Sequence, residues 1–165
     1  MKNPTYIWVD AHGQGRNRYV LFRRKFLLDA APETAALKIF ADTRYRLIIN
    51  GETVCHGPAR FFPEFPMYDE LDVALYLQGG QNVIAVMVNS YGCGSFHSVL
   101  NRGGLILECI AGDMAIGTDK NWTCLESPGH NPVTQPLSFA LNPGEHLSLA
   151  KMPAGWTEAD FDDSD

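Results

Sequence analysis

No apolar run in this sequence of 165 residues approaches the ~20 residues that a membrane-crossing helix requires. No basic run exceeds Arg23-Arg24-Lys25, and the formal net charge is −6. A nucleic-acid binder carries a basic face, so balance and distribution both argue against that class. The four cysteines, Cys55, Cys93, Cys109 and Cys124, form no C-x-x-C pair, the local mark of a zinc knuckle. Their wide spacing favours free thiols over a disulfide framework. Residues 1–10 contain one lysine and no apolar core, so they do not read as a signal peptide. The compartment stays open between cytoplasm and periplasm.

Signatures of catalysis are also scarce. The histidines, His12, His56, His97, His130 and His146, show neither H-x-H nor H-x-x-x-H spacing, so a metal cluster has no local support. Ser95 or Ser98 beside His97 offers a nucleophile and a base, but the G-x-S-x-G elbow is missing. Gly92-Cys93-Gly94 lacks the third glycine and the following helix of a phosphate cradle. Glycosidases work with two carboxylates about the scissile bond. The candidates are Asp42, Asp69, Glu70 and Asp72. Asp69 and Glu70 are adjacent on an extended segment and so point to opposite faces. Asp72 reads as a turn cap. No cofactor is expected.

What the sequence does contain is a series of short strands. Its hydrophobic fraction is 45% and its charged fraction 19%, ordinary for one globular domain of this length. Residues 19–28 are rich in β-formers. In residues 36–42, Leu37, Ile39 and Ala41 alternate with Lys38, Phe40 and Asp42. In residues 44–49, Tyr45, Leu47 and Ile49 alternate with Arg44 and Arg46. A period of two means a strand with one buried face. Asn50-Gly51 is a strong hairpin signal, with residues 52–56 as the return strand. Pro58, Pro63 and Pro66 make residues 57–66 a loop. An extended stretch at 68–74 follows. Residues 83–88 form a continuously apolar strand, and residues 90–104 a glycine-rich loop. Further strands are expected at 105–110, 114–116 and 119–124. Past Ser127 the periodicity fades, and prolines punctuate the chain. No long helix is expected. The pattern predicts an all-β fold, a sandwich or barrel.

One constellation stands out. Arg60, Tyr68 and Asp69 from the proline-rich loop could meet Tyr91 and His97 from the glycine-rich loop. Rings stack on the apolar faces of sugars, and oriented polar groups bond their hydroxyls. The competing reading of the nearby Phe61, Phe62 and Phe65 is that they close the ends of the core.

Taken in order, these segments resemble a known family. Phe22-Arg23-Arg24-Lys25-Phe26, then Ala41-Asp42-Thr43-Arg44-Tyr45-Arg46-Leu47-Ile48-Ile49-Asn50-Gly51, then Gly57-Pro58-Ala59-Arg60 are similar to the N-terminal module of bacterial α-L-rhamnosidases. Tyr68-Asp69-Glu70-Leu71-Asp72-Val73 and Gly80-Gln81-Asn82-Val83-Ile84-Ala85-Val86 continue the likeness, which runs over about residues 19–122. The resemblance implies an antiparallel β-sandwich of the jelly-roll, galactose-binding-domain-like kind. It implies that catalysis belongs to a downstream α-helical domain. It allows a structural calcium ion, although the acids form no EF-hand pattern. The tail from Gly155-Trp156-Thr157 to Phe161-Asp162-Asp163-Ser164-Asp165 resembles the start of a linking motif. The expected organisation is an extension at 1–18, the sandwich at 19–127, and at 128–165 a proline-rich excursion and the start of a linker. The expected role is a non-catalytic accessory module, framing substrate or supporting the catalytic domain. The expected partners are that domain and rhamnose-containing glycans. The rival expectations are an autonomous carbohydrate-binding module and a purely structural docking module.

Overall fold

A computed structural model describes residues 3–135 and 138–163. Pro136, among the prolines of the excursion, and Ser164 and Asp165 of the tail motif lie outside the described residues. Nine strands run in chain order: β1 (Arg18–Leu28), β2 (Ala35–Asp42), β3 (Arg44–Ile49), β4 (Glu52–Gly57), β5 (Asp69–Asp72), β6 (Gly80–Ser90), β7 (Gly104–Ala111), β8 (Met114–Gly117) and β9 (Thr123–Glu126). Two single 3-10 turns, Ala74–Tyr76 and Leu149–Lys151, are the helical elements among the described residues. The strands form two antiparallel sheets, a five-stranded one ordered β4-β3-β6-β1-β9 and a four-stranded one ordered β5-β2-β7-β8. This is the all-β sandwich that the alternation predicts.

Period-two patterning builds the core between the sheets. Val20 and Phe22 of β1, Leu47 and Ile49 of β3, and Ile84, Val86 and Val88 of β6 face Leu37 and Ile39 of β2 and Leu105 and Leu107 of β7. Each is essentially shut off from solvent, and such side chains contribute about 1.5–3 kcal/mol apiece. The chain crosses from one sheet to the other between Asp42 and Arg44. Thr43 holds this corner: its hydroxyl donates to Asp42 Oδ1 at 2.9 Å and accepts the Tyr91 N–H at 3.1 Å.

The β3–β4 hairpin turns on Asn50 (φ 50°) and Gly51 (φ 82°), the two positive dihedrals a tight hairpin requires. Asn50 Nδ2 donates to Asn82 Oδ1 at 2.8 Å and to the Tyr76 carbonyl at 2.9 Å, while Asn50 Oδ1 accepts the Val83 N–H at 2.9 Å. Buried Asn82 also donates to the carbonyls of Gln78 and Gly80. Two sequence motifs 30 residues apart are therefore one polar network, which fixes the start of β6 against the hairpin.

Two elements differ most from the sequence expectation. The last strand is Thr123–Glu126 rather than 119–124, because Asp119 caps a turn through its bond to the Asn121 N–H. Strand β6 begins at Gly80, where pairing with Leu28 of β1 carries the ladder into the glycine-rich turn. All four cysteines are free thiols.

The segment after β9 lies against the outer face of the five-stranded sheet. Trp156 packs on Leu21, Ile48 and Ala85, with Met152 and Phe161 beside it. The Arg23 guanidinium sits 4.8 Å from the Phe161 ring centre and pairs with Asp163 at 3.3 Å. Lys25 reaches the same carboxylate at 2.9 Å. This cover explains why Ala85, on the face of β6 away from the core, is buried as fully as its neighbours Ile84 and Val86.

Candidate functional site

The cover stops halfway along that face. Pairing of β1, β6 and β3 aligns Tyr19, Asn89 and Arg44 in one row, and Leu21, Met87 and Arg46 in the next. His56 of β4 continues the second row. Residues 129–135 and 138–148 run back alongside each other, with Ser148 N–H bonded to the Gly129 carbonyl at 2.8 Å and Asn131 N–H to the His146 carbonyl at 2.9 Å. They form the opposite wall. Buried Asn17 fastens this wall, donating to the Gly144 carbonyl at 3.0 Å while its own Oδ1 accepts from Asn89 Nδ2 at 3.3 Å. The result is an open bowl of about 600 Å³, floored by strand residues and edged by Asn142 and Glu145.

Arg44 and Arg46 project into the bowl, and neither has an ion-pair partner among the described residues. Arg46 Nε is fully buried and unbonded. The Arg44 guanidinium lies 6.0 Å from the Tyr91 ring centre. Glu145 is the one carboxylate lining the bowl among the described residues. A glycosidase of the ordinary kind needs two.

Glu145 ends a chain of three groups. Its Oε1 is 3.3 Å from His130 Nε2, and His130 Nδ1 is 2.7 Å from Ser127 Oγ. Serine, imidazole and carboxylate in series suggest nucleophilic catalysis. Here, however, Ser127 is buried, its Oγ lies 3.2 Å from Met152 Sδ, and the Tyr19 ring stacks on the imidazole at 3.8 Å. The hydroxyl faces the interior, so the trio clamps the wall to the sheet and orients Glu145. Burial holds the His130 pKa below its usual value, against the raising effect of Glu145. Burial likewise raises the Tyr19 phenol to about 12.

The five residues singled out from the sequence divide. Arg60, Tyr91 and His97 meet in a narrow cleft of about 80 Å³ that adjoins the bowl and shares Arg44, Tyr91 and Pro58 with it. Tyr91 is buried, so its ring offers no open face. His97 is exposed, and its backbone N–H bonds to Ser95 Oγ at 3.1 Å. Ser95 in turn donates to Asn142 Oδ1 at 2.7 Å, so no serine–imidazole pair forms there. Tyr68 lies on the four-stranded sheet instead, under Lys38 Nζ at 5.4 Å from its ring centre. Asp69 accepts the Tyr45 hydroxyl at 2.5 Å, a bond between the two sheets. A side chain at Gly57 would collide with both partners, which accounts for that glycine. Phe61 packs edge-on against Phe40 at 4.8 Å, whereas Phe62 and Phe65 are exposed.

Sequence reasoning missed Arg44, Arg46, Asn89, His130 and Glu145 as one site. The alternation of β3 did carry a signal, since it places both arginines on the face away from the core.

No family model and no curated protein matches the chain. Solved structures do. A GH78 family rhamnosidase of Bacillus sp. GL1 superposes on 98% of this chain with a TM-score of 0.91 and 33% identity. In fold, the chain matches a small part of that GH78 rhamnosidase. It spans 17% of that Bacillus enzyme. The α-L-rhamnosidase of Dictyoglumus thermophilum contains the same module fold over 98% of this chain, at a TM-score of 0.73 and 21% identity, and the chain spans 20% of it. A lectin from Pleurotus ostreatus, solved in complex with GalNAc, shares the fold more distantly: TM-score 0.54, 19% identity, 93% of this chain and 44% of the lectin.

Proposed function

We propose that this chain is a non-catalytic accessory module of an α-L-rhamnosidase-like glycoside hydrolase, framing the substrate or supporting the catalytic domain. The observation that carries the reading is the match to the Bacillus rhamnosidase: nearly the whole chain aligns, yet it accounts for 17% of that enzyme. The single carboxylate in the bowl agrees with chemistry performed elsewhere. Exposed Phe62, Phe65 and Phe96, on loops near the cleft, supply apolar surface for a neighbouring domain. The test is an assay of the 165-residue chain on an aryl α-L-rhamnoside. The expected result is hydrolysis at the buffer rate. Turnover that scales with protein and survives repurification would overturn the proposal.

A second reading is favoured by the bowl itself and by the distant lectin with bound GalNAc: the module binds carbohydrate on its own. A bowl of this size suits one or two sugar rings. Single sugars in such sites bind in the millimolar range, about −4 kcal/mol. Titration with L-rhamnose followed by NMR should give saturable shifts in this range. Flat spectra at high ligand would leave the scaffold role alone.

A further inference from the structure

Resting on the carbohydrate-binding reading, we infer that the bowl takes an acidic saccharide, with the sugar carboxylate held between Arg44 and Arg46. Three other arginines on the strands and their ends are engaged. Arg18 pairs with Asp10 and Glu126, Arg23 with Asp163, and Arg24 donates to the Asn121 carbonyl. Arg44 and Arg46 have no carboxylate partner among the described residues, although the chain carries a net charge of −6. Arg60 lies beside Arg44 in the adjoining cleft. Two or three unpaired guanidiniums on one rim of an acidic protein form a local positive field. Both side chains line the bowl, and a planar guanidinium fits a carboxylate through two parallel bonds.

The rest of the lining suits the remainder of a sugar. Asn89, Asn142 and His56 offer donors and acceptors for hydroxyls. Tyr19, Tyr45 and Tyr91 are all under a tenth exposed, so no open ring face is available for stacking a neutral sugar. Charge, rather than stacking, therefore carries the affinity. Glu145, fixed by His130 on the far wall, repels a carboxylate placed there and accepts hydroxyls instead. This gives the sugar one orientation.

The test titrates the 165-residue chain with D-galacturonate, D-galactose, L-rhamnose and inorganic phosphate at low salt, read by calorimetry and NMR. Galacturonate is expected to bind about tenfold more tightly than galactose, and to weaken as salt screens the charges. Arg46→Ala and Arg44→Ala should each reduce galacturonate affinity by about tenfold, while Arg24→Ala changes nothing; near-ultraviolet spectra verify the fold of each variant. Arg46→Lys should restore only part of the loss. Equal binding of galacturonate and galactose would overturn this inference and leave the carbohydrate-binding reading standing. Binding of rhamnose alone would do the same. Phosphate binding as tight as galacturonate would reduce the site to a general anion site and overturn the saccharide assignment. No binding of any sugar would sink both readings.

Discussion

The outer face of the five-stranded sheet carries two pairs of cations with opposite fates. Arg23 and Lys25 on β1 converge on Asp163 beneath Trp156 and Phe161. Arg44 and Arg46 on β3 project into an open bowl without a counter-ion among the described residues. The strands are alike, and the sheet rows are continuous between the two halves. The difference lies in what covers them. A cation on a strand becomes structural or available according to a segment more than a hundred residues away. One half of the face is an extension of the core, and the other is left open.

Removing the cover is expected to do the most damage. Trp156→Ala exposes Leu21, Ile48 and Ala85 and should cost about 3 kcal/mol, as large aromatic truncations do; urea denaturation will measure it. Asp163→Asn leaves buried Arg23 short of its counter-ion and should cost about 1–2 kcal/mol by the same method. A subtler effect is expected from pH. Burial lowers the His130 pKa, so the unfolded chain takes up its proton first, near pH ~6.5. Stability from this group is complete above that pH and is lost as pH falls towards the folded value. Thermal midpoints between pH 7.5 and 5.5 should therefore fall less steeply in His130→Gln than in the parent. The smallest change belongs to the open half: Arg44→Ala and Arg46→Ala should alter stability by no more than about 0.5 kcal/mol. A large loss there would erase the contrast between the halves.

Much of the sandwich was legible because its signals are local. Alternation marks the buried faces of β2 and β3, and Asn50-Gly51 marks their hairpin neighbour. Strand order was not legible: β1 pairs with β6 across some sixty residues, and nothing in either strand names its partner. The packing of residues 128–163 was hidden for a related reason. The segment's described residues add no strand to either sheet, so they show no period. It is held instead by single anchors such as Trp156, Asn17 and His130. The site was half visible. The cleft of Arg60, Tyr91 and His97 came from loops that look like binding loops. The bowl needed Arg44 and Arg46 to be joined with Asn142 and Glu145, and only the folded chain brings those together.

Chemical-shift mapping with galacturonate and L-rhamnose tests most directly whether the open half of this face is a ligand site. Saturable shifts should appear at Arg44, Arg46, Asn89 and Tyr91 and be absent around Trp156 and Lys25. Shifts centred on Lys38 and Tyr68 of the other sheet, or none at all, would contradict it.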